Sequence, residues 1–91
     1  MIFYKATLRV RNEVGVLARI ATRLRKFQVN IRSLDVSPID DEERFSDIHM
    51  VLETKSHDIS IVIKKLESLI PVIETNYEVT QDKRIGTLCK L

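Results

Sequence analysis

Val10-Arg11-Asn12-Glu13-Val14-Gly15-Val16-Leu17-Ala18-Arg19-Ile20 is the stretch across which the hydrophobic period of the chain changes. Upstream, residues 2–11 alternate: Tyr4, Ala6, Leu8 and Val10 share one face, and Lys5, Thr7, Arg9 and Arg11 share the other. A period of two is that of a strand with one buried face. Downstream, Val16, Leu17, Ile20, Ala21, Leu24 and Phe27 recur on one stripe, with Arg19, Arg23, Arg25 and Lys26 mostly opposite. That spacing predicts an amphipathic helix of about three turns. Between the two lies a polar turn that ends in Gly15.

The same reading continues outward. Asn30 leads into a strand over Ile31 to Ser37, stopped at Pro38. Asp40 to Arg44 reads as a charged hairpin loop, and a third strand runs from about Phe45 to Glu53 with Ile48, Met50 and Leu52 facing the core. Ser56 and Asp58 are suited to cap a second helix, in which Ile59, Val62, Ile63, Leu66, Leu69 and Ile70 repeat at helical spacing. Pro71 ends it, Val72 to Val79 is a fourth strand, and the tail from Thr80 has no clear period. The order β-α-β-β-α-β predicts an α+β, ferredoxin-like sandwich: a four-stranded antiparallel sheet with both helices on one face, over residues 1–79, followed by a tail over 80–91. The uncovered face then carries Phe3, Lys5, Thr7, Arg9, Phe45, His49 and Val51. Such a mixture either meets a partner or stays solvated.

Bulk composition sets the bounds. At 91 residues the chain is one domain near the lower end of what supports its own core, and two Gly and two Pro leave little room for linkers. A small sheet leaves apolar surface uncovered, so self-association is expected. Fifteen Lys/Arg against thirteen Asp/Glu give a net charge of +2, interspersed along the chain, which argues weakly for a polyanionic partner. Cys89 is alone, so no intrachain disulfide framework or multi-thiolate metal site is expected, in keeping with a reducing cytosol. Met1-Ile2-Phe3-Tyr4-Lys5 is not a secretory leader, and the Ile59–Ile63 cluster is far shorter than the roughly 20 residues that cross a bilayer. A soluble, cytoplasmic protein without a membrane partner is the expectation.

Gly15 sits where the first strand feeds the first helix. A glycine there lets a ligand approach the backbone, and the first helical amides point outward without intrahelical partners. With the helix dipole they suit a carboxylate or another small anion. Asn12 and Asn30 are placed to add hydrogen bonds, and both are expected at one end of the domain because the intervening helix returns the chain there. The alternative is structural: Asn12 and Gly15 shape the turn and cap the helix, and Asn30 occupies a left-handed helix C-cap. From the residues alone the structural alternative is favoured, since one glycine at a strand–turn–helix junction is a weak signal.

The run from Val10 to Ile20, followed by Asn30-Ile31-Arg32-Ser33-Leu34-Asp35-Val36, resembles the ACT domain of acetolactate (acetohydroxyacid) synthase small subunits. Both blocks match in order and spacing, and the resemblance covers about residues 2–79. It implies homodimers in which two βαββαβ domains pair side by side into an eight-stranded sheet. It also implies a branched-chain amino acid, typically valine, at their interface. Carried over, Asn12, Gly15 and the amides of Gly15 and Val16 would hold the amino acid's polar end. Asn30 of the partner would complete the site, with Leu17 and Ile31 on its apolar side. The resemblance implies a regulatory subunit with no catalytic residues or cofactor of its own. Its partner would be the separate thiamine-diphosphate catalytic (large) subunit of branched-chain amino-acid biosynthesis. Val14 stands where many relatives have Pro, losing a preset φ but blocking nothing. Longer members carry a second domain where this sequence stops at Leu91, so it is either a short-form subunit or a piece of a longer one. A short form would activate its enzyme without sensing valine.

Other readings compete. A ferredoxin-like sheet can bind RNA, with Phe3 and Phe45 stacking on bases and Lys5, Arg9 and Arg11 on phosphates. Arg44-Phe45-Ser46-Asp47-Ile48-His49 lacks the glycine–aromatic pattern of such strands, and Asp47 would repel phosphate. His49 and His57 have no Ser or Cys nucleophile at a recognisable spacing, and Cys89 lies in the tail. Asp40-Asp41-Glu42-Glu43 lacks the alternating spacing and glycine of a calcium loop. The stripe Arg19, Arg23, Lys26 reads as a wet helix face or as a contact for an acidic patch on the catalytic subunit. The main rival is a stand-alone ACT module that senses another amino acid, or a dimerisation unit of a different metabolic enzyme or regulator.

Overall fold

The computed structural model describes residues 1–55 and 58–81. Six elements follow the expected order: β1 (Ile2–Arg11), α1 (Val16–Lys26), β2 (Asn30–Pro38), β3 (Phe45–Thr54), α2 (Ser60–Glu67) and β4 (Val72–Thr80). Ser56, expected at a helix cap, His57, Cys89 and the tail beyond Gln81 lie outside the described residues.

The strands form one antiparallel sheet in the order β2-β3-β1-β4. Its register puts Ala6 opposite Met50 and Leu8 opposite Ile48, so the alternation of β1 and that of β3 land on the same face. Tyr4, Ala6, Leu8 and Val10 are at most 4% exposed, and Ile48, Met50 and Leu52 at most 1%. Truncating one of these, such as Leu8→Ala, would cost about 2–5 kcal/mol. Each edge strand carries one extra residue relative to its neighbour. β2 slips at Arg32, between Ile31 and Ser33, and β4 slips at Ile73, where Arg9 and Val10 face Glu74 and Val72.

Both helices cover that face, α1 packing beside β2 and α2 beside β4. α1 buries only Val16, Ile20 and Leu24, one residue per turn. Leu17 and Phe27, expected on the buried stripe, are 36% and 38% exposed, and Ala21 is exposed too. The apolar stripe is therefore wider than the face that α1 buries within one chain. α1 ends through Gln28, in the left-handed region at φ 59°, with the Val29 amide donating to Leu24 O at 3.0 Å. The left-handed residue is thus Gln28, and Asn30 opens β2. At α2 the N-cap is Ile59 without a side-chain cap, and Asp58, expected to cap, sits one residue earlier with its Oδ1 accepting from the Ser60 amide at 3.1 Å.

Candidate functional site

At the β1–α1 junction Gly15 adopts φ 84°, ψ 1°, the left-handed conformation that a side chain disfavours. A Cβ there would meet nothing within 4 Å, so the position demands a dihedral angle and leaves the space above it open. The Val16 amide closes the turn on Glu13 O at 3.2 Å, and the Arg19 amide makes the first helical bond to Gly15 O at 3.0 Å. This corrects the role expected of the Val16 amide, which is already engaged. Among the described residues the amides of Gly15, Leu17 and Ala18 have no backbone acceptor, so the Gly15 donor expected of the turn stays open beside those of the first helical turn. Val14, 99% exposed, stands at the crest of the turn, and the half-open Leu17 side chain adjoins the free amides.

Asn12 is occupied within the chain. Its backbone amide donates to Arg44 O at 2.8 Å, its side-chain Nδ2 donates to Glu43 O, and its Oδ1 accepts from Ser46 Oγ at 2.7 Å. Ser46 is only 2% exposed, so Asn12 is a clamp between the end of β1 and the start of β3. One amide hydrogen remains for a ligand. Ser46 carries this clamp and escaped the sequence reading, because a serine in an alternating strand reads as a solvated position.

Asn30 is not at the end of the domain expected for it. It pairs with Glu53 at the far end of β3, whereas Arg11, beside Asn12, pairs with Phe45 at the near end. The two sites are eight residues apart along β3, about 26 Å at the usual strand rise. The reason is topological: β1 rises, α1 descends, and β2 therefore starts at the bottom. Asn30 Nδ2 donates to Glu53 Oε1 at 3.0 Å, leaving its amide oxygen as an acceptor. Ile31, opposite Leu52, turns to the helix side and packs partly against the core.

β2 is an edge strand whose apolar side chains are incompletely covered. Leu34 and Val36, opposite Met50 and Ile48 on the helix side, stay 43% and 44% exposed, and Ile39 beyond them 41%. They make an apolar margin along the open edge.

The uncovered sheet face is internally paired. Arg9 holds Asp47 with two hydrogen bonds of 2.9 and 3.1 Å, which keeps the Asp47 carboxyl below its ordinary pKa against a smaller opposing effect of burial. Arg32 lies 5.9 Å over the Phe3 ring and Arg44 lies 6.0 Å over Phe45, so both aromatics already carry an arginine. Val51, expected in the open, is fully buried on this face. His49 Nδ1 and Thr7 Oγ1 share a hydrogen bond of 3.3 Å across the β1–β3 pair. In the acidic hairpin, Asp40 accepts from the Phe45 amide at 3.1 Å and from Arg44 Nε at 3.2 Å. That carboxylate closes its own turn. Among the described residues no three His, Cys, Asp or Glu side chains converge as a metal site, and no helix is long and apolar enough to cross a membrane.

No curated protein matches the chain significantly. Among solved structures, the chain is similar to the C-terminal domain of the MgtC protein from Mycobacterium tuberculosis, with TM-score 0.73, 14% identity, and coverage of 94% of this chain and 95% of that one. It is also similar to the ACT domain from GTP pyrophosphokinase of Chlorobium tepidum, with TM-score 0.69, 15% identity, and coverage of 86% and 100%. A homoserine dehydrogenase from Thiobacillus denitrificans gives TM-score 0.71 and 24% identity over 91% of this chain but only 18% of that enzyme. At such identities these likenesses speak for the fold alone. The sequence match is narrower: residues 7–74 fit the family described as AHAS small subunit-like ACT domain. That span holds both the Gly15 turn and Asn30, and the chain belongs to the AHAS small subunit-like ACT domain family.

Proposed function

We propose that this chain is a cytoplasmic regulatory (small) subunit of acetolactate synthase. In this reading a branched-chain amino acid such as valine binds between two copies and modulates the thiamine-diphosphate catalytic subunit. The observation that carries the reading is the separation of Asn30 from the Gly15 turn by the length of β3. A two-fold axis normal to the sheet, pairing β2 with its copy, turns one chain upside down beside the other. Asn30 and Ile31 of the partner subunit then arrive at the end that carries Asn12, Val14, Gly15 and Leu17. The amino acid's carboxylate would meet the Leu17 and Ala18 amides, and its ammonium the Asn30 oxygen. Its side chain would lie on the apolar margin of Leu17 and Ile31. The same pairing covers Leu34 and Val36 and extends the sheet to eight strands. Regulation follows by linkage: a ligand that fits one arrangement of two subunits better shifts the equilibrium toward it, with about 1–3 kcal/mol of coupling.

Family membership supports the acetolactate synthase assignment. The structural likeness to modules of a GTP pyrophosphokinase and a homoserine dehydrogenase supports a second reading, in which the domain senses another amino acid or only dimerises for a different enzyme. Calorimetric titration with valine, leucine, isoleucine and a panel of polar amino acids separates them. Heat from valine that is lost in Asn30→Ala, with an unchanged melting temperature, is the expected result. Absence of heat from every amino acid would remove the sensing role, and unchanged affinity in the variant would remove Asn30 from the site.

A further inference from the structure

The helix layer differs in charge from the rest of the molecule. α1 carries Arg19, Arg23, Arg25 and Lys26 with no acidic residue, and α2 carries Lys64 and Lys65 against Glu67. Among the described residues arginine elsewhere is matched: Arg9 with Asp47, Arg11 with Glu13, Arg32 with Glu53, and Arg44 with Asp40 and Glu42. Among the described residues none of the six helical cations forms an ion pair, and Lys64 only lends attraction to the Asp58 carboxylate.

Arg23 is held in place. Its Nη1 donates to Lys65 O at 3.0 Å and to Ser68 Oγ at 3.2 Å, bridging the two helices. It flanks a groove lined by Ala18, Arg19, Thr22 and Leu69, whose small side chains at positions 18 and 22 leave the floor open. Ile61 and Ile70 stand 54% and 80% exposed on the same layer. A fixed Arg23 with Arg19 beside it over a largely apolar floor favours a ligand that offers carboxylates and apolar side chains together. A nucleic-acid backbone would use the cations and leave the groove in water.

We infer that the α1–α2 groove is the docking surface for an acidic, apolar segment of the catalytic subunit. Carboxylates of that segment pair with Arg19, Arg23 and Lys65, and an apolar side chain seats over Ala18 and Thr22. This rests on the acetolactate synthase reading above. It is compatible with pairing through β2, because a two-fold normal to the sheet leaves both helix layers on one side and doubles the cationic surface. The fixed Arg23 guanidinium lowers the ordering cost of binding, and the exposed cations steer the encounter.

The test titrates the wild-type chain, Arg19→Glu/Lys65→Glu and the milder Arg19→Gln/Lys65→Gln against the cognate acetolactate synthase catalytic subunit by surface plasmon resonance at several salt concentrations. Circular dichroism verifies that each variant is folded. Charge reversal is expected to weaken the complex about tenfold or more, chiefly in the association rate, and to flatten its salt dependence. The neutral pair should fall between, and valine heats should be unaltered in both. Affinity within about twofold of wild type with the same salt slope overturns the docking surface alone. So does tighter binding of duplex DNA or phosphatidylserine vesicles than of the catalytic subunit at the same salt. No complex with the wild-type chain at any salt would sink the acetolactate synthase reading and the docking with it, an outcome plainly different from a complex indifferent to helix charge.

Discussion

Replacing Gly15 by alanine isolates what the turn asks of the sequence. The residue holds φ 84°, and an added Cβ would touch nothing within 4 Å, so the penalty is backbone strain alone. A left-handed non-glycine residue costs about 1–2 kcal/mol. Against it, alanine restricts the unfolded chain and returns about 0.4–1 kcal/mol. The expected net loss is about 1 kcal/mol, which in a domain of this size lowers the melting temperature by about 4–8 °C. Gly15→Asn should recover much of it, since asparagine tolerates the left-handed region better than alanine does. Far-ultraviolet circular dichroism melts of the three proteins, with urea midpoints at one temperature, make the comparison. An alanine variant as stable as wild type, or an asparagine variant less stable than alanine, would refute the dihedral account.

Three further outcomes follow from the geometry. Asn12→Ala should destabilise by about 1–3 kcal/mol, because it strands the buried Ser46 hydroxyl and releases the β3 hairpin; a urea midpoint equal to wild type would show that the clamp does not matter. If two copies pair through β2 as proposed, Leu34→Glu on that edge should sediment as a monomer where wild type sediments as a dimer; unaltered sedimentation would place the interface elsewhere. The Asp47 carboxyl titrates low because Arg9 holds its charged form. Its contribution is thus complete above the unfolded carboxyl pKa and fades as pH falls through the lower folded value, about pH 4 downward. Urea midpoints of Asp47→Asn should depend less steeply on pH across that range than those of wild type, and identical slopes would exclude the pair as a source of acid sensitivity.

The alternation of Tyr4, Ala6, Leu8 and Val10 and the helical repeat of Ile59, Val62, Ile63 and Leu66 were sufficient to order the elements, because burial imposes those periods directly. What periodicity does not encode is coverage: Leu17 and Phe27 share the stripe of Ile20, yet both stay more than a third exposed. Nor does it encode direction. Asn12 and Asn30 seemed neighbours because a helix separates them, whereas the helix carries the chain the length of a strand away. The Gly15 turn was legible from its glycine, but the occupation of Asn12 was not. Its partners, Glu43, Arg44 and Ser46, come from a hairpin some thirty residues on, and no local pattern announces them.

The slips at Arg32 and Ile73 have a consequence for how such a sheet grows. Among the described residues β2 and β4 each have one strand neighbour, and a sheet open on two sides can add strands without end. Each edge here has one extra residue, the one in β2 near the start of that strand and the one in β4 near the opposite end of the sheet. Backbone donors and acceptors therefore fall out of step at different heights on the two margins. A strand that fits β2 does not fit β4, so addition at one margin does not template addition at the other. The two margins therefore present different registers to a further strand.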